Sequence, residues 1–569
     1  MGTCTSQESH SSDEVRIKHS LNKKEEAFVV KRRETVLKSL QKLKIHCNKD
    51  KVPNIALLGS GGGQRAMVAL LGSLVQLKKA GLLDCMLYLC GVSGSTWCMA
   101  SLYQEQDWST KLETVKDKIV KRLSGPGVSL VDAFAKLTLY HNEKDILSLT
   151  DLWAVMIVTK FVKKIDRSMI TDQQYRHKKD PLPIYIAIDK QCKQQGEGDP
   201  WFEISPYEAG YSLIGAFVDT SSFGSQFDNG RKIKDQPEID MLYVQGLCGS
   251  AIADVDEKVV VIWQTIKDIL SSLISRMENG TIEGMEKDPN SPPVQKCSQV
   301  LMDLVDMNLS VLKDIDPFDL HESIRTNLNE LTGSKGQHIF QVEKLNFANK
   351  EAAKLHIKKY TLDIIDYLSD QLNFWPFNVF LSTCRCAVLF IWGRKYDFLH
   401  NMTDKTVPPA LLESETRDYI DAGLLNNSPY FSVLREERDI DLIISLDFSD
   451  GDPFMTVREA AETCKKLKIP FPEVNIPSED LKKPKDFYVF KGKNAPTVIH
   501  IPLFNVVNCG DKLETWRNDY STTQISSYSA EKITKLMEVA GKNISNNREK
   551  LMKQIHAVIG EKLKKHEYI

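Results

Sequence analysis

The chain has 569 residues, 42% of them hydrophobic and 26% charged, and a formal net charge of -2. This balance excludes a disordered chain and gives no global pull toward nucleic acid or an anionic surface. Twelve cysteines are scattered from Cys4 to Cys509 without repeated C-x-x-C pairs, which excludes a disulfide framework and a zinc module as organising devices.

The first twenty residues are polar, so no secretory signal is expected. They open MGTCTS, which fits the acylation pattern M-G-x-x-x-[ST]: Gly2 is the candidate myristoyl acceptor and Cys4 a candidate for palmitate. One myristoyl chain binds membranes only marginally, so a second signal would be needed. Residues 25–43 have helical spacing, with Val29, Val36, Leu40 and Leu43 on one side and Lys31, Lys38 and Lys42 opposite. Such a helix either packs on a core with its basic face in water, the preferred reading, or faces a lipid surface.

Residues 55–58 form a short apolar run. Gly59, Gly61, Gly62 and Gly63 follow, and then a helical pattern through Met67, Leu70, Leu71, Leu74 and Leu77. Strand, loop and helix are predicted in that order, with backbone amides at the helix start that suit an anion or a developing oxyanion. Nucleotide motifs fail here: Arg65 is followed by Ala66 where a P-loop needs Lys then Ser or Thr, and Gln64 stands where a dinucleotide fingerprint needs glycine.

The next apolar run leads into LCGVSGSTW, residues 89–97, and then a helical pattern. Ser93 therefore sits at a strand-to-helix turn, the setting of a nucleophile elbow, although Ser95 replaces the last glycine of G-x-S-x-G. A serine needs a base. His500, in PTVIHIPLF, would complete a Ser-Asp-His order, whereas Asp421, in YIDAGLLNNSPY and followed by the small residues Ala422 and Gly423, could act on the serine directly.

Three stretches, GSGGGQRAM with Arg65, GVSGSTW with Ser93 and DAGLLNNSPY with Asp421, in this order, resemble the catalytic domain of the cytosolic phospholipases A2. These belong to the patatin-like Ser-Asp lipid hydrolases. Further similar stretches, among them DPWFEISPYEAGY, GAFVDTSSFGSQF and DLIISLDFSDGDPF, extend the likeness from about residue 50 to about residue 530. The resemblance implies an α/β fold of the patatin-like lysophospholipase type, with a central, mostly parallel sheet flanked by helices and an inserted, largely helical cap. It implies Ser93 as nucleophile, Asp421 as base, the amides of Gly62 and Gly63 as oxyanion donors, and Arg65 and Arg438 as ligands of the substrate phosphate.

Within the family the chain resembles the gamma-type branch. About 50 residues precede the first core strand, too few for the calcium-binding C2 module of other members, so neither calcium nor any other metal or cofactor is expected. The expected reaction is hydrolysis of the sn-2 acyl ester of glycerophospholipids, with lysophospholipase or transacylase activity alongside. The expected organisation is an N-terminal extension over residues 1–50 and a catalytic domain over 51–569 carrying a cap at about 230–410, where Ile262, Ile266, Ile269 and Leu273 line one helix face. Residues 374–392 are strongly apolar but contain Pro376, Asn378 and Arg385, and a central arginine costs about 2.5 kcal/mol or more in a bilayer. They are expected to be buried or interfacial rather than spanning.

The chain ends KLKKHEYI without a prenylation box, leaving Gly2, Cys4, the basic helix and the tail lysines Lys562, Lys564 and Lys565 as candidate membrane signals. The expected partner is a phospholipid membrane surface, not nucleic acid, and the expected location is cytoplasmic with peripheral attachment to intracellular membranes. Two alternatives remain: a catalytically silent lipid-binding protein on the same fold, and a Ser-His-Asp esterase using His500.

Overall fold

A computed structural model describes residues 14–255, 258–332, 349–522 and 526–567, with side chains described as far as residue 562. Gly2 and Cys4 lie outside the described residues, as do the side chains of Lys564 and Lys565. The strands are β1 (Arg16–Ile17), β2 (Ile55–Gly59), β3 (Tyr88–Gly91), β4 (Leu182–Asp189), β5 (Trp201–Ile204), β6 (Glu208–Tyr211), β7 (Ala216–Asp219), β8 (Gln226–Asp228), β9 (Arg231–Lys234), β10 (Arg394–Tyr396), β11 (Thr416–Asp421), β12 (Leu442–Asp447), β13 (Tyr488–Phe490) and β14 (Thr497–Pro502). All but β8 and β9, which pair with each other, belong to one sheet among the described residues.

The centre of that sheet, in the order β4-β3-β2-β12-β14, is parallel. Its strands read as unbroken buried runs, IALLG in β2 and LIISLD in β12, because helices cover both faces of a parallel sheet and leave no solvent side for polar alternation. Outside this core the pairing turns antiparallel, through β5, β6, β7 and β1 at one end and β13 at the other. The expected α/β architecture is therefore present, with the parallel strands where the predicted motifs lie.

The eight residues of β4 serve two partners in turn. Leu182 to Tyr185 pair with Tyr88 to Gly91 of β3; Ala187 to Asp189 pair with Asp421 to Tyr419 of β11. Because β5 occupies the other edge of β4 as far as Ile188, β11 takes up the edge that β3 leaves when it turns into its helix.

Three helices carry the N-terminal part of the fold: α1 (Lys23–Lys42), α2 (Gly63–Lys79) and α3 (Gly94–Tyr103). Val36 and Leu40 of α1 are fully buried, while Lys31, Lys38 and Lys42 face solvent. The helix therefore packs on the core. It does so with charge as well as apolar surface: buried Arg32 donates to the carbonyls of Met86, at 3.0 Å, and Lys179, and buried Glu25 accepts from the Tyr88 hydroxyl at 2.8 Å.

The chain divides into two compact units. One comprises the described parts of Met1–Val128, Val158–Ala251 and Lys395–Ile569, and contains the parallel strands; the other comprises Ser129–Ile157 and the described parts of Ile252–Arg394. The second unit is helical, and the helix Val259–Glu278 buries Ile262, Ile266 and Ile269 against Pro292–Leu312 and Phe377–Leu389. The last of these covers most of the apolar stretch noted above; it is largely buried, with Arg385 paired to Asp366. No helix among the described residues is long and apolar enough to cross a membrane.

Candidate active site

Ser93 follows β3 after the single residue Val92 and occupies the N-cap position of α3 with φ 51° and ψ -118°. This is a conformation non-glycine residues rarely adopt, and such strain persists where surrounding structure enforces it. What enforces it is close packing of two loops. A Cβ on Gly94 would fall 1.8 Å from the carbonyl oxygen of Gly63, and one on Gly61 would fall 3.0 Å from the Ser93 Cβ. Ser95, the departure from the elbow pattern, ties the same loops together, its hydroxyl donating to the Ser60 carbonyl at 2.6 Å.

The loop after β2 thus lies across the elbow. Gly62 has φ 146° and Gly63 φ 56°, and α2 begins at Gly63, so neither amide has a carbonyl one turn earlier in the helix to satisfy it. Arg65, in the first turn of α2, is 1% exposed. Its Nε donates to the Phe448 carbonyl at 2.8 Å and its Nη1 to the Tyr520 carbonyl at 2.9 Å, with Asp450 3.3 Å from Nη1. Its Nη2 has no hydrogen-bond partner among the described residues, and it lies 3.2 Å from where a Cβ on Gly62 would be.

Asp421 arrives from β11. Since Tyr185 pairs with Gly91, Ala187 is level with the second residue beyond Gly91, which is Ser93, and Ala187 is the register partner of Asp421. The carboxylate is 1% exposed; Oδ1 accepts from the Gly423 amide at 2.8 Å, and Oδ2 has no partner of hydrogen-bond geometry among the described residues. Burial pushes the carboxyl up to about 7, against the opposing pull of the Gly423 amide and the Ser93 hydroxyl.

A family model described as a lysophospholipase catalytic domain matches residues 55–298. Cytosolic phospholipase A2 gamma of Mus musculus is 34% identical, over 95% of this chain and 92% of its own length; that of Homo sapiens is 32% identical, over 96% and 97%. The chain belongs to the cytosolic phospholipase A2 family. Membership places it among phospholipase enzymes. Its fold is also that of the solved human GIVD cytosolic phospholipase A2, with a TM-score of 0.66 at 21% identity over 96% of this chain and 68% of that one.

Against this family background the predicted residues separate into two groups. Ser93, Gly62, Gly63, Arg65 and Asp421 converge at the carboxyl ends of the parallel strands, where open α/β sheets bind ligands. Arg438 does not join them, and its expected phosphate role is corrected here. It precedes β12, at the opposite end of the sheet, and its backbone carbonyl accepts from Asn54, just ahead of β2. All five of its N–H donors are spent: Nε and Nη2 on Glu25, Nη1 and Nη2 on Glu203, and Nη1 also on the Ser432 carbonyl. Arg435 is likewise buried and pairs with Glu203 at 2.7 Å.

His500 is also not brought to Ser93. It lies in β14, three strands from β3, about 14 Å at the usual strand spacing. Its Nε2 is bonded to the Pro453 carbonyl at 2.7 Å, and burial lowers its pKa. Lys562 is an ion-pair partner of Asp441 at 2.7 Å rather than a free tail charge.

One residue was overlooked inside a motif already marked. Asn427 accepts from the Gly61 amide through its main-chain carbonyl at 2.9 Å, and its Nδ2 donates to the Gly61 carbonyl at 3.0 Å. The signal available in the sequence is the polar pair Asn426-Asn427, five and six residues after Asp421 in the same motif.

Proposed function

We propose that the protein hydrolyses the sn-2 acyl ester of glycerophospholipids through a Ser93–Asp421 dyad. The observation that carries this reading is the placement of a buried carboxylate, with one oxygen that lacks a hydrogen-bond partner among the described residues, level with Ser93 at the strand-to-helix turn. In the proposed reaction Asp421 takes the Ser93 proton as Oγ attacks the ester carbonyl, and the amides of Gly62 and Gly63 stabilise the oxyanion. Collapse expels the lysophospholipid alkoxide, which recovers the proton from Asp421, leaving an acyl-serine. Water then attacks that ester with Asp421 again as base, releasing the fatty acid and restoring Ser93.

Arg65 is proposed to meet the headgroup phosphate through Nη2, the nitrogen it has left over. Base and oxyanion donors all come from the chain, so the reaction is proposed to run without calcium. A lysophospholipid that enters in place of water would make the enzyme a transacylase, and one that enters as substrate would make it a lysophospholipase. We further propose peripheral attachment to intracellular membranes, with Gly2 and Cys4 acylated; clickable myristate should label wild type and not Gly2→Ala.

The deciding experiment is release of sn-2 fatty acid from phosphatidylcholine vesicles in the presence of a chelator. Wild type is expected to be active and Ser93→Ala and Asp421→Ala inactive; equal release by wild type and Ser93→Ala would end the enzymatic reading.

A further inference from the structure

Asn427 grips both sides of the oxyanion loop and touches the turn that orients the base. Its main-chain carbonyl and its Nδ2 hold the amide and the carbonyl of Gly61, and Nδ2 also donates to the Ser449 hydroxyl at 2.7 Å. Both amide protons are therefore committed. Ser449 is itself fixed, its amide donating to Asp447 at the end of β12.

Its Oδ1 is placed just as closely. A Cβ on Gly61 would fall 2.2 Å from this oxygen and a Cβ on Gly423 2.7 Å from it, and the Gly423 amide is the donor to Asp421 Oδ1. One side chain therefore fills the gap between the loop that offers Gly62 and Gly63 and the turn that orients Asp421. Ser60, next to Gly61, is held from the β12 side, its amide donating to Leu446 and its hydroxyl accepting from Phe448. The Gly61 peptide group is held by Asn427 at both its amide and its carbonyl, with the Ser60 hydroxyl also donating to that carbonyl at 3.2 Å, so Asn427 ties the loop that carries the oxyanion amides to the turn that orients the base.

We infer that Asn427 is a positioning residue that sets the spacing between the oxyanion loop and Asp421, acting through Gly61 and Gly423. This rests on the dyad reading above. A displacement of about 1 Å in such an arrangement costs on the order of 100-fold in rate, so Asn427→Ala is expected to lower kcat about 10- to 100-fold with little change in KM. Ser449→Ala, which frees one of the two amide protons, is expected to cause a smaller loss of the same kind. Asn427→Asp keeps the shape but places a carboxylate beside Asp421 and the developing oxyanion. A like charge there raises the Asp421 pKa further, so the acidic limb of the pH–activity profile should move to higher pH, a change that loosened packing alone does not produce.

The test measures kcat, KM, the pH profile and the rate of covalent labelling by a fluorophosphonate for wild type, Asn427→Ala, Asn427→Asp, Ser449→Ala and Ser93→Ala, each with its melting temperature. The inference is supported if folded Asn427→Ala loses kcat and labelling rate while keeping KM, and Asn427→Asp shifts the acidic limb upward. Normal kcat in Asn427→Ala, or a pH limb unmoved in Asn427→Asp, overturns it. Should Asn427→Ala fail to fold, Ser449→Ala and Asn427→Asp decide by the same readouts. Activity surviving in Ser93→Ala would instead overturn the dyad, a separate failure.

Discussion

In the proposed dyad, the burial that leaves Asp421 Oδ2 without a hydrogen-bond partner among the described residues also raises its carboxyl to about 7, so the proposed base gains its working charge near neutrality. Activity should therefore rise with pH through about 7 and then level off. Stability should move the opposite way. The folded group keeps its proton up to about 7 while an unfolded aspartate loses it near about 4, so the folded state binds more protons between those values and loses stability as pH rises through them. Asp421→Asn is expected to abolish activity yet melt at a higher temperature than wild type at about pH 8, with the gap closing toward about pH 4; melting curves across that range check it. At this scale the sequence was informative where chemistry demands a residue type. The elbow pattern singled out Ser93 and the resemblance added Gly62, Gly63, Arg65 and Asp421 as expectations, but neither singled out Asn427, because an asparagine that grips a peptide group has the same sequence signature as one that merely turns a chain.

Among the elements, α1 and β1 are tied to the sheet by buried charge in addition to the apolar contacts of Val36 and Leu40 and the pairing of β1 with β7. Arg16 pairs with Glu208 at 2.7 Å, Glu208 lies 3.9 Å from Arg435, and Glu203 joins Arg435 to Arg438, which reaches Glu25 on α1. Removing Arg438 strips buried Glu25 of its guanidinium partner and leaves Glu203 with Arg435 alone, so Arg438→Ala is expected to cost about 3–5 kcal/mol of stability without raising KM for phospholipid. Calorimetry with vesicle kinetics separates this from a headgroup ligand, which would raise KM and leave the melting temperature alone. Acid should act on the same network. Burial works to raise the Glu203 carboxyl, but the charges of Arg438 and Arg435 outweigh it and hold it down to about 2. Its contribution is therefore complete above the unfolded value near about 4 and is lost as pH falls toward 2; Glu203→Gln should flatten that part of the acid-unfolding curve. The helical spacing of α1 was plain in the sequence, whereas its ionic anchorage was not: Glu25 and Arg438 are far apart in the chain, and the pattern that singled out Arg438 pointed to a phosphate instead of to Glu25.

For the whole molecule, the division into two units follows chain segments that composition reveals only in part. Ser129–Ile157 belongs with Ile252–Arg394, yet no linker or composition shift marks it off, because grouping distant segments depends on tertiary packing and not on local propensity. The parallel strands were legible for the opposite reason: burial on both faces writes continuous apolar runs into the sequence. The double use of β4 has a further consequence, for how this protein can change. Ser93 and Asp421 are more than three hundred residues apart in the chain, but their spacing is fixed by a single strand that pairs first with β3 and then with β11. The intervening chain can therefore be lengthened or rebuilt without moving the pair: inserting a few glycines and serines into the exposed stretch at residues 285–290 should leave kcat within about twofold, since surface insertions are thermodynamically cheap. One residue inserted between Ile186 and Ala187 should abolish turnover, because a single-residue slip displaces β11 by about 3.3 Å and turns its side chains to the opposite face. The helical unit should therefore be free to vary, because the tape that measures the distance between Ser93 and Asp421 is β4.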